Sequence, residues 1–351
     1  MPGMTRITRL AVAAMTLLVV AVALTPVAGA QTPPSLRELA RQRHIKMGTA
    51  IGQPELGTDP EHLAVAAREY SSVTPENAMK WELVHPERDR YDFSGADQTV
   101  AFAEAHHMMV RGHTLVWHSQ NPSWLTNGSF TRDELIAILR DHIHTVVGHF
   151  VGRVQQWDVA NEVVRDDGSG LRDNLWLRGI GAEYLAMAFQ FAHEADPNAV
   201  LYLNDYLTDT INPKSDFVLA LAHLLRHFDV PVHGIGIQSH RFLLIPEARA
   251  DIEANFRRIA RDKFRIWVTE LDVAIVMPAD PTELADQATV YRDVVRACLA
   301  VRRCRGITTW GFTDRYSWIP SFFPGFGAAL PFDEALTPKP AYQSMVDALR
   351  A

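Results

Sequence analysis

Eight short runs rich in apolar and β-branched residues alternate with longer stretches of helical periodicity along almost the whole chain, and few folds accept that order. The strand-like runs are 45–50, 72–74, 109–116, 154–159, 200–203, 234–238, 265–269 and 306–310. The helical stretches are 61–69, 96–106, 132–147, 182–194, 213–227, 247–261 and 281–301, and 340–349 closes the chain. Helix-start chemistry agrees: Asp133 and Glu134 fall in a first turn, and Pro213 and Pro281 open their helices. Eight βα units predict an α/β fold, a (β/α)8 TIM barrel. An open doubly wound sheet is the alternative. It calls for a glycine-rich phosphate loop after the first strand, and Gly48-Thr49-Ala50-Ile51-Gly52 matches that only weakly. No Pro-rich or Ser/Gly-rich linker breaks the composition, so residues 31–351 are expected to form one domain.

The runs turn polar where they end. The second leads into Glu76, Asn77 and Lys80, and the third into His113, Trp117, His118 and Gln120. The fourth ends at Asn161-Glu162, the fifth at Asn204-Asp205-Tyr206, and the sixth at Gln238-Ser239-His240. The seventh ends at Glu270 and Asp272, and the eighth at Trp310, with Asp314 and Trp318 beyond. Taken singly, each has an ordinary reading as a solvated loop residue, a cap or a core aromatic. In a barrel, however, all of these ends share one face, the face where barrel enzymes carry their chemistry.

Two of those ends, Trp157-Asp158-Val159-Ala160-Asn161-Glu162 and Val268-Thr269-Glu270-Leu271-Asp272, carry carboxylates. Cleavage of a glycosidic bond needs such a pair, one group to protonate the leaving oxygen and one to attack the anomeric carbon or activate water. Pyranose C–H faces pack on indoles, and sugar hydroxyls suit planar amide and carboxylate partners. Trp117, Trp310 and Trp318 are candidate sugar walls, whereas Trp157, Trp176 and Trp267 read as core.

Arg6 and Arg9 precede an apolar run over 10–24, Pro26 breaks it, and Ala28-Gly29-Ala30 offers small residues before Gln31. That layout is a secretory signal peptide over residues 1–30. A membrane anchor is the alternative, but the run is shorter than the roughly 20 apolar residues a spanning helix needs. Removal of the two arginines, with no acid lost, takes the formal charge from -7 to -9. An acidic, secreted chain is a poor partner for nucleic acid. Its two cysteines, Cys298 and Cys304, suit a disulfide in an oxidising compartment, with two buried thiols as the alternative. The fifteen histidines show no metal-ligand spacing: His142 and His144 stand two apart on a helix and point away from each other. No metal or cofactor is expected.

The chain resembles the glycoside hydrolase family 10 endo-β-1,4-xylanases over nearly all of residues 31–351. The stretches carrying the resemblance are 74–81 (Thr-Pro-Glu-Asn-Ala-Met-Lys-Trp), 111–120, 157–162, 203–206, 234–240 and 269–272, then Trp310, Asp314, Ser317-Trp318 and 338–342. It implies a (β/α)8 barrel enzyme acting on xylan or xylo-oligosaccharides by retaining double displacement; with the signal peptide it is expected to be secreted, and a monomer is expected. On that pattern Glu162 is the acid/base, Glu270 the nucleophile, Asn161 the partner of the sugar 2-hydroxyl, and His240 and Asp272 the support of Glu270. Glu76, Asn77, Lys80, His113, Trp117, Gln120, Gln238, Trp310 and Trp318 would bind sugar. A disulfide in the position of Cys298 and Cys304 is also a feature of that family.

Departures from the pattern are Ala160 for a second valine, Arg241 for an aromatic, Ile319 for an arginine, the Phe-, Pro- and Gly-rich stretch 321–332, and 333–337 without the usual Tyr-Gln. Ala160 is expected to be a matter of repacking, and the other changes are expected on outer loops, where they bear on substrate preference. A related glycosidase with another glycan or aryl-glycoside preference is the competing reading. A carbohydrate-binding protein that lost catalysis is a third, disfavoured because both glutamates are present.

Overall fold

In the computed structural model, which describes residues 33–245 and 247–351, eight parallel strands close into a barrel. The ten strands in chain order are β1 (Lys46–Ile51), β2 (Ser72–Pro75), β3 (Met109–Val116), β4 (Gln156–Asn161), β5 (Val200–Asp205), β6 (Gly234–Ile237), β7 (His240–Phe242), β8 (Arg265–Val276), β9 (Cys304–Thr309) and β10 (Phe326–Gly327). The barrel runs β1 to β6, then β8 and β9, and closes where β9 pairs in parallel with β1. The closed barrel expected from the eight βα units is thus observed, and the alternative, an open doubly wound sheet, is excluded. Residues Pro34–Ala351 pack as one unit. The expected signal segment, 1–30, lies outside the described residues.

Seven helices between the strands and one at the end match the periodic stretches, among them Arg132–His149, Pro213–His227, Pro281–Leu299 and Pro340–Arg350. Thr131 and Glu134 form a reciprocal cap, Asn212 caps the helix that opens on Pro213, and Asp280 caps the one that opens on Pro281. A helix at Leu36–Gln42 was not foreseen. The backbone N–H of its Leu36 donates to Glu69, which also accepts from Tyr342 on the last helix, so one buried carboxylate ties the two ends of the barrel chain together. Gly112 on β3 allows close approach of the Trp157 ring, because a Cβ there would lie 2.2 Å from it.

The barrel interior also holds charge. Arg111 on β3, fully buried, donates through Nε to Asp158 on β4 at 3.0 Å and through Nη2 to its other oxygen. Asp158 also meets His113 at 3.1 Å. Trp157, Trp176 and Trp267 are buried, as expected of core residues.

Cys298 and Cys304 form a disulfide joining the end of the helix Pro281–Leu299 to the start of β9. A loop this short restrains the unfolded chain modestly. Replacing both cysteines by serine is expected to cost about 2 kcal/mol, read as a lowering of the melting temperature by roughly 3 °C in a domain of this size.

Candidate active site

The two carboxylates reach one face by different local means. Glu162 follows β4 directly and takes a left-handed backbone, φ 56°, a conformation a non-glycine residue holds only when its surroundings fix it. Its Oε2 accepts from the Trp117 indole at 2.8 Å and its Oε1 from the Gln238 amide at 3.1 Å. His118 stands 3.8 Å away, and burial lowers its pKa against the pull of Glu162, which favours its neutral form. Glu162 thus faces neutral donors.

Glu270 does not end a strand. The sequence placed the strand end at 269, whereas β8 continues to Val276, because β7 and β10 flank the extra length. Glu270 and Asp272 are two apart on it and so share a side of the strand. His240 on β7 lies opposite Asp272 in register. Its ring bonds Asp272 through Nδ1 at 2.9 Å and Glu270 through Nε2 at 3.1 Å. The Trp318 indole donates to the same Asp272 oxygen at 2.8 Å. Burial opposes charge on both partners of the His240–Glu270 pair, and their mutual attraction wins. His240 is raised to about 10 by the Asp272 charge and its hydrogen bonds, and Glu270 is lowered to about 2 by His240, His113 and Asn204.

A chain of amides connects the two glutamates. Asn204 Nδ2 donates to Glu270 Oε1 and to Asn161 Oδ1, both at 2.8 Å, and Gln238 Nε2 donates to Asn161 Oδ1 and Glu162 Oε1, both at 3.1 Å. Thr269 fixes the Asn204 amide by donating to its oxygen. Asn204 stands in a stretch that carried the family resemblance but had no role assigned. The signal was there: a polar residue at the end of an otherwise apolar strand. Arg172, whose Nε donates to the backbone oxygen of Glu162 at 3.0 Å, left none, because a loop brings it back from ten residues downstream.

A second group lies beside the first. Lys80 Nζ donates to Asn77 at 2.9 Å and Gln120 at 2.8 Å, and sits 5.0 Å from the Trp117 ring and 5.9 Å from that of Trp310. Burial lowers its pKa, opposed by Glu270, Glu76 and Glu162. Glu76 is raised by burial and by Glu55. The His113 ring stands edge-on to Trp310, and Trp318 edge-on to His240. Every sequence-nominated sugar or carboxylate-supporting residue therefore belongs to one connected set. Asp314, a polar residue beyond the eighth strand to which no role was assigned, lies outside that set: it accepts from Lys339 at 2.7 Å and from the Leu330 amide, and so pins the chain's last loop.

Two expectations need correction. Arg241 is no outer-loop residue. It is buried and bonds Asp209 at 2.9 Å and Glu247 at 2.7 Å, because the strand pairing that places His240 turns its neighbour inward. Ile319 is likewise buried, in a small cluster with Ala274, Ala329 and Leu330. Ala160 is fully buried. Among the histidines, His142 stacks on Trp81 while His144 pairs with Glu194, and no group of three potential metal ligands converges among the described residues.

The His240–Glu270 pair sets a pH window. Glu270 is depressed, so its contribution is present above its ordinary value of about 4.3 and fades as pH falls toward 2. His240 is raised, so its contribution is complete below about 6.5 and is lost as pH climbs through 10. Melting curves should show the advantage of the wild type over His240→Ala to be widest between roughly pH 4.5 and 6.5, narrowing on both sides.

Paired carboxylates among indoles and amides, on the strand-end face of a (β/α)8 barrel, define the class of barrel glycoside hydrolases. The family model described as Glycosyl hydrolase family 10 matches residues 35–348. Endo-1,4-beta-xylanase B of Thermotoga neapolitana is 45% identical over 320 residues, covering 90% of this chain and 91% of that protein. An endo-1,4-beta-xylanase of Agaricus bisporus is 40% identical over 86% of this chain and 90% of its own. The crystal structure of xylanase 10B from Thermotoga petrophila RKU-1 in complex with xylobiose superposes with a TM-score of 0.89 at 43% identity, over 92% of this chain and 99% of that one. The chain belongs to glycosyl hydrolase family 10.

Proposed function

We propose that this protein is a secreted endo-1,4-β-xylanase that cleaves internal bonds of xylan with retention of configuration. The observation that carries the reading is the contrast between its two glutamates. Glu270 is held ionised by a cationic histidine, as a nucleophile must be, whereas the Glu162 carboxyl, among the described residues, hydrogen-bonds only to the neutral Trp117 indole and Gln238 amide. The xylanase names of the relatives support the substrate.

Glu270 attacks the anomeric carbon while Glu162 gives its proton to the departing glycosidic oxygen, leaving a glycosyl ester on Glu270. Glu162 then takes a proton from water, the oxygen of that water attacks the same carbon, and Glu270 leaves as carboxylate. Asn161 lies between the two carboxylates, placed to bond the 2-hydroxyl of the sugar under attack. His240 and Asp272 position Glu270. Glu76, Asn77, Lys80, His113, Gln120 and Gln238 supply polar contacts, and Trp117, Trp310 and Trp318 the sugar walls. The enzyme acts as a monomer without cofactor, and residues 1–30 are removed on export, an oxidising route that suits the disulfide.

Reducing-sugar release from xylan, beside carboxymethylcellulose, is the test. Strong release from xylan with little from cellulose is the expected result; release from neither by a folded protein overturns the reading. Product anomers followed by NMR should first appear in the β form. Mass analysis of the exported protein should place its first residue at Gln31.

A further inference from the structure

The face opposite the paired glutamates holds a cavity of about 710 Å3 that the reaction does not use. It is built from strand starts: Lys46 opens β1, Met109 β3, Gln156 β4, Val200 β5 and Arg265 β8, while Arg305 is the second residue of β9. Because the barrel strands are parallel, this mouth lies a strand length, roughly 15–20 Å, from the glutamates. The volume is that of a small-molecule site.

Its charge runs against that of the chain. Arg37, Arg41, Lys46, Arg265 and Arg305 line it against a single acid, Glu38, in a protein of formal charge -7. Glu38 is already committed to Ser35, whose backbone N–H donates to it at 2.8 Å. Arg37 is spent on the carbonyls of Ala67 and His106. The side chains of Arg41, Lys46 and Arg265 have no ion-pair or hydrogen-bond partner among the described residues, and all three residues are exposed. Concentrated like charge of this kind is self-repelling unless something anionic sits in it.

A second observation is independent of charge. Gln156, 3% exposed, lines the cavity and its Nε2 has no hydrogen-bond partner. A buried amide donor left unpaired is destabilising, and a small turn of the side chain toward an oxygen ligand in the cavity would satisfy it. Tyr202 and Trp267 add aromatic wall beside it, and beneath them the Arg111 guanidinium lies 4.4 Å from the Tyr202 ring. Cations, an orphan donor and aromatic wall together match a sugar-sized body bearing an oxyanion.

We propose that the mouth formed by the strand starts is a second, non-catalytic binding site for a sugar-sized ligand carrying a carboxylate or phosphate group, held by Arg265, Lys46 and Arg41 and by the Gln156 amide. Planar guanidinium forks suit either oxyanion. The site is independent of the xylanase reading, since none of its residues touches the paired glutamates.

Isothermal titration of the purified protein with glucuronate, glucose 6-phosphate and glucose separates the outcomes. Binding of one or both anions, with glucose at least tenfold weaker and affinity falling as salt rises, is the expected result. The stronger of the two anions identifies the oxyanion source. Arg265→Ala, an exposed substitution, should weaken the anion at least tenfold while melting temperature and xylo-oligosaccharide turnover stay unchanged. Gln156→Leu should weaken it without changing the salt dependence. Equal binding of glucose, no binding of either anion at millimolar concentration, or unaltered affinity in both variants overturns the proposal.

Discussion

Glu270→Gln is expected to lower turnover of xylan by about 10⁴-fold or more, the scale seen when a nucleophile is removed from a covalent mechanism. The side chain keeps its shape and its oxygen can still accept from Asn204, while its NH2 can meet His240 only once that ring has given up its Nε2 proton, so melting temperature should fall modestly beside the loss of activity. Glu162→Ala should behave differently. Xylan needs its leaving oxygen protonated, so the loss there should be about 10²–10⁴-fold. A nitrophenyl xylobioside has a leaving group that departs without a proton. With that substrate the variant should release a burst of about one equivalent of nitrophenol per enzyme and then turn over slowly, because the base that activates water is also gone. Rapid steady turnover of the aryl substrate by Glu270→Gln would assign the nucleophile elsewhere.

The largest effect on stability is expected at Asp158, far from any sugar. Asp158→Ala strands the Arg111 guanidinium at 0% exposure inside the barrel, with its Nη1 already lacking a partner. Breaking one side of a buried ion pair costs about 3–5 kcal/mol. In a domain of this length that lowers the melting temperature by roughly 4–8 °C. The double replacement Asp158→Ala with Arg111→Met should recover part of the loss, since it removes the uncompensated charge as well as its partner. Additive losses in the double variant would show that the pair contributes through packing instead of charge.

Much of this was legible before any coordinates. Hydrophobic periodicity located the starts of all eight barrel strands, and the ends of all but β8, to within two residues, and cap chemistry agreed for the long helices, because both are local properties of sequence. The paired carboxylates were legible for the same reason: a carboxylate just after a short apolar, β-branched run stands out, although β8 in fact continues past Glu270. The end of β8 was misplaced because seven of its residues are extended only through pairing with β7, β9 and β10, segments roughly 30 to 50 residues away along the chain. Arg241 was misplaced likewise. An arginine beside a loop reads as solvated, and only the fold supplies Asp209 and Glu247 to bury it.

By itself, then, the sequence determined the alternation that closes a barrel, the face on which its polar strand ends gather, and which two glutamates are proposed as the reacting pair. Tertiary structure alone decided their inequality. Asn204, Gln238 and His240 come from strands and turns far apart in the chain, and only their convergence makes one carboxylate a held anion and leaves the other among neutral donors. Hydrogen bonds and charge act over a few ångströms, and those distances exist only after the barrel has closed.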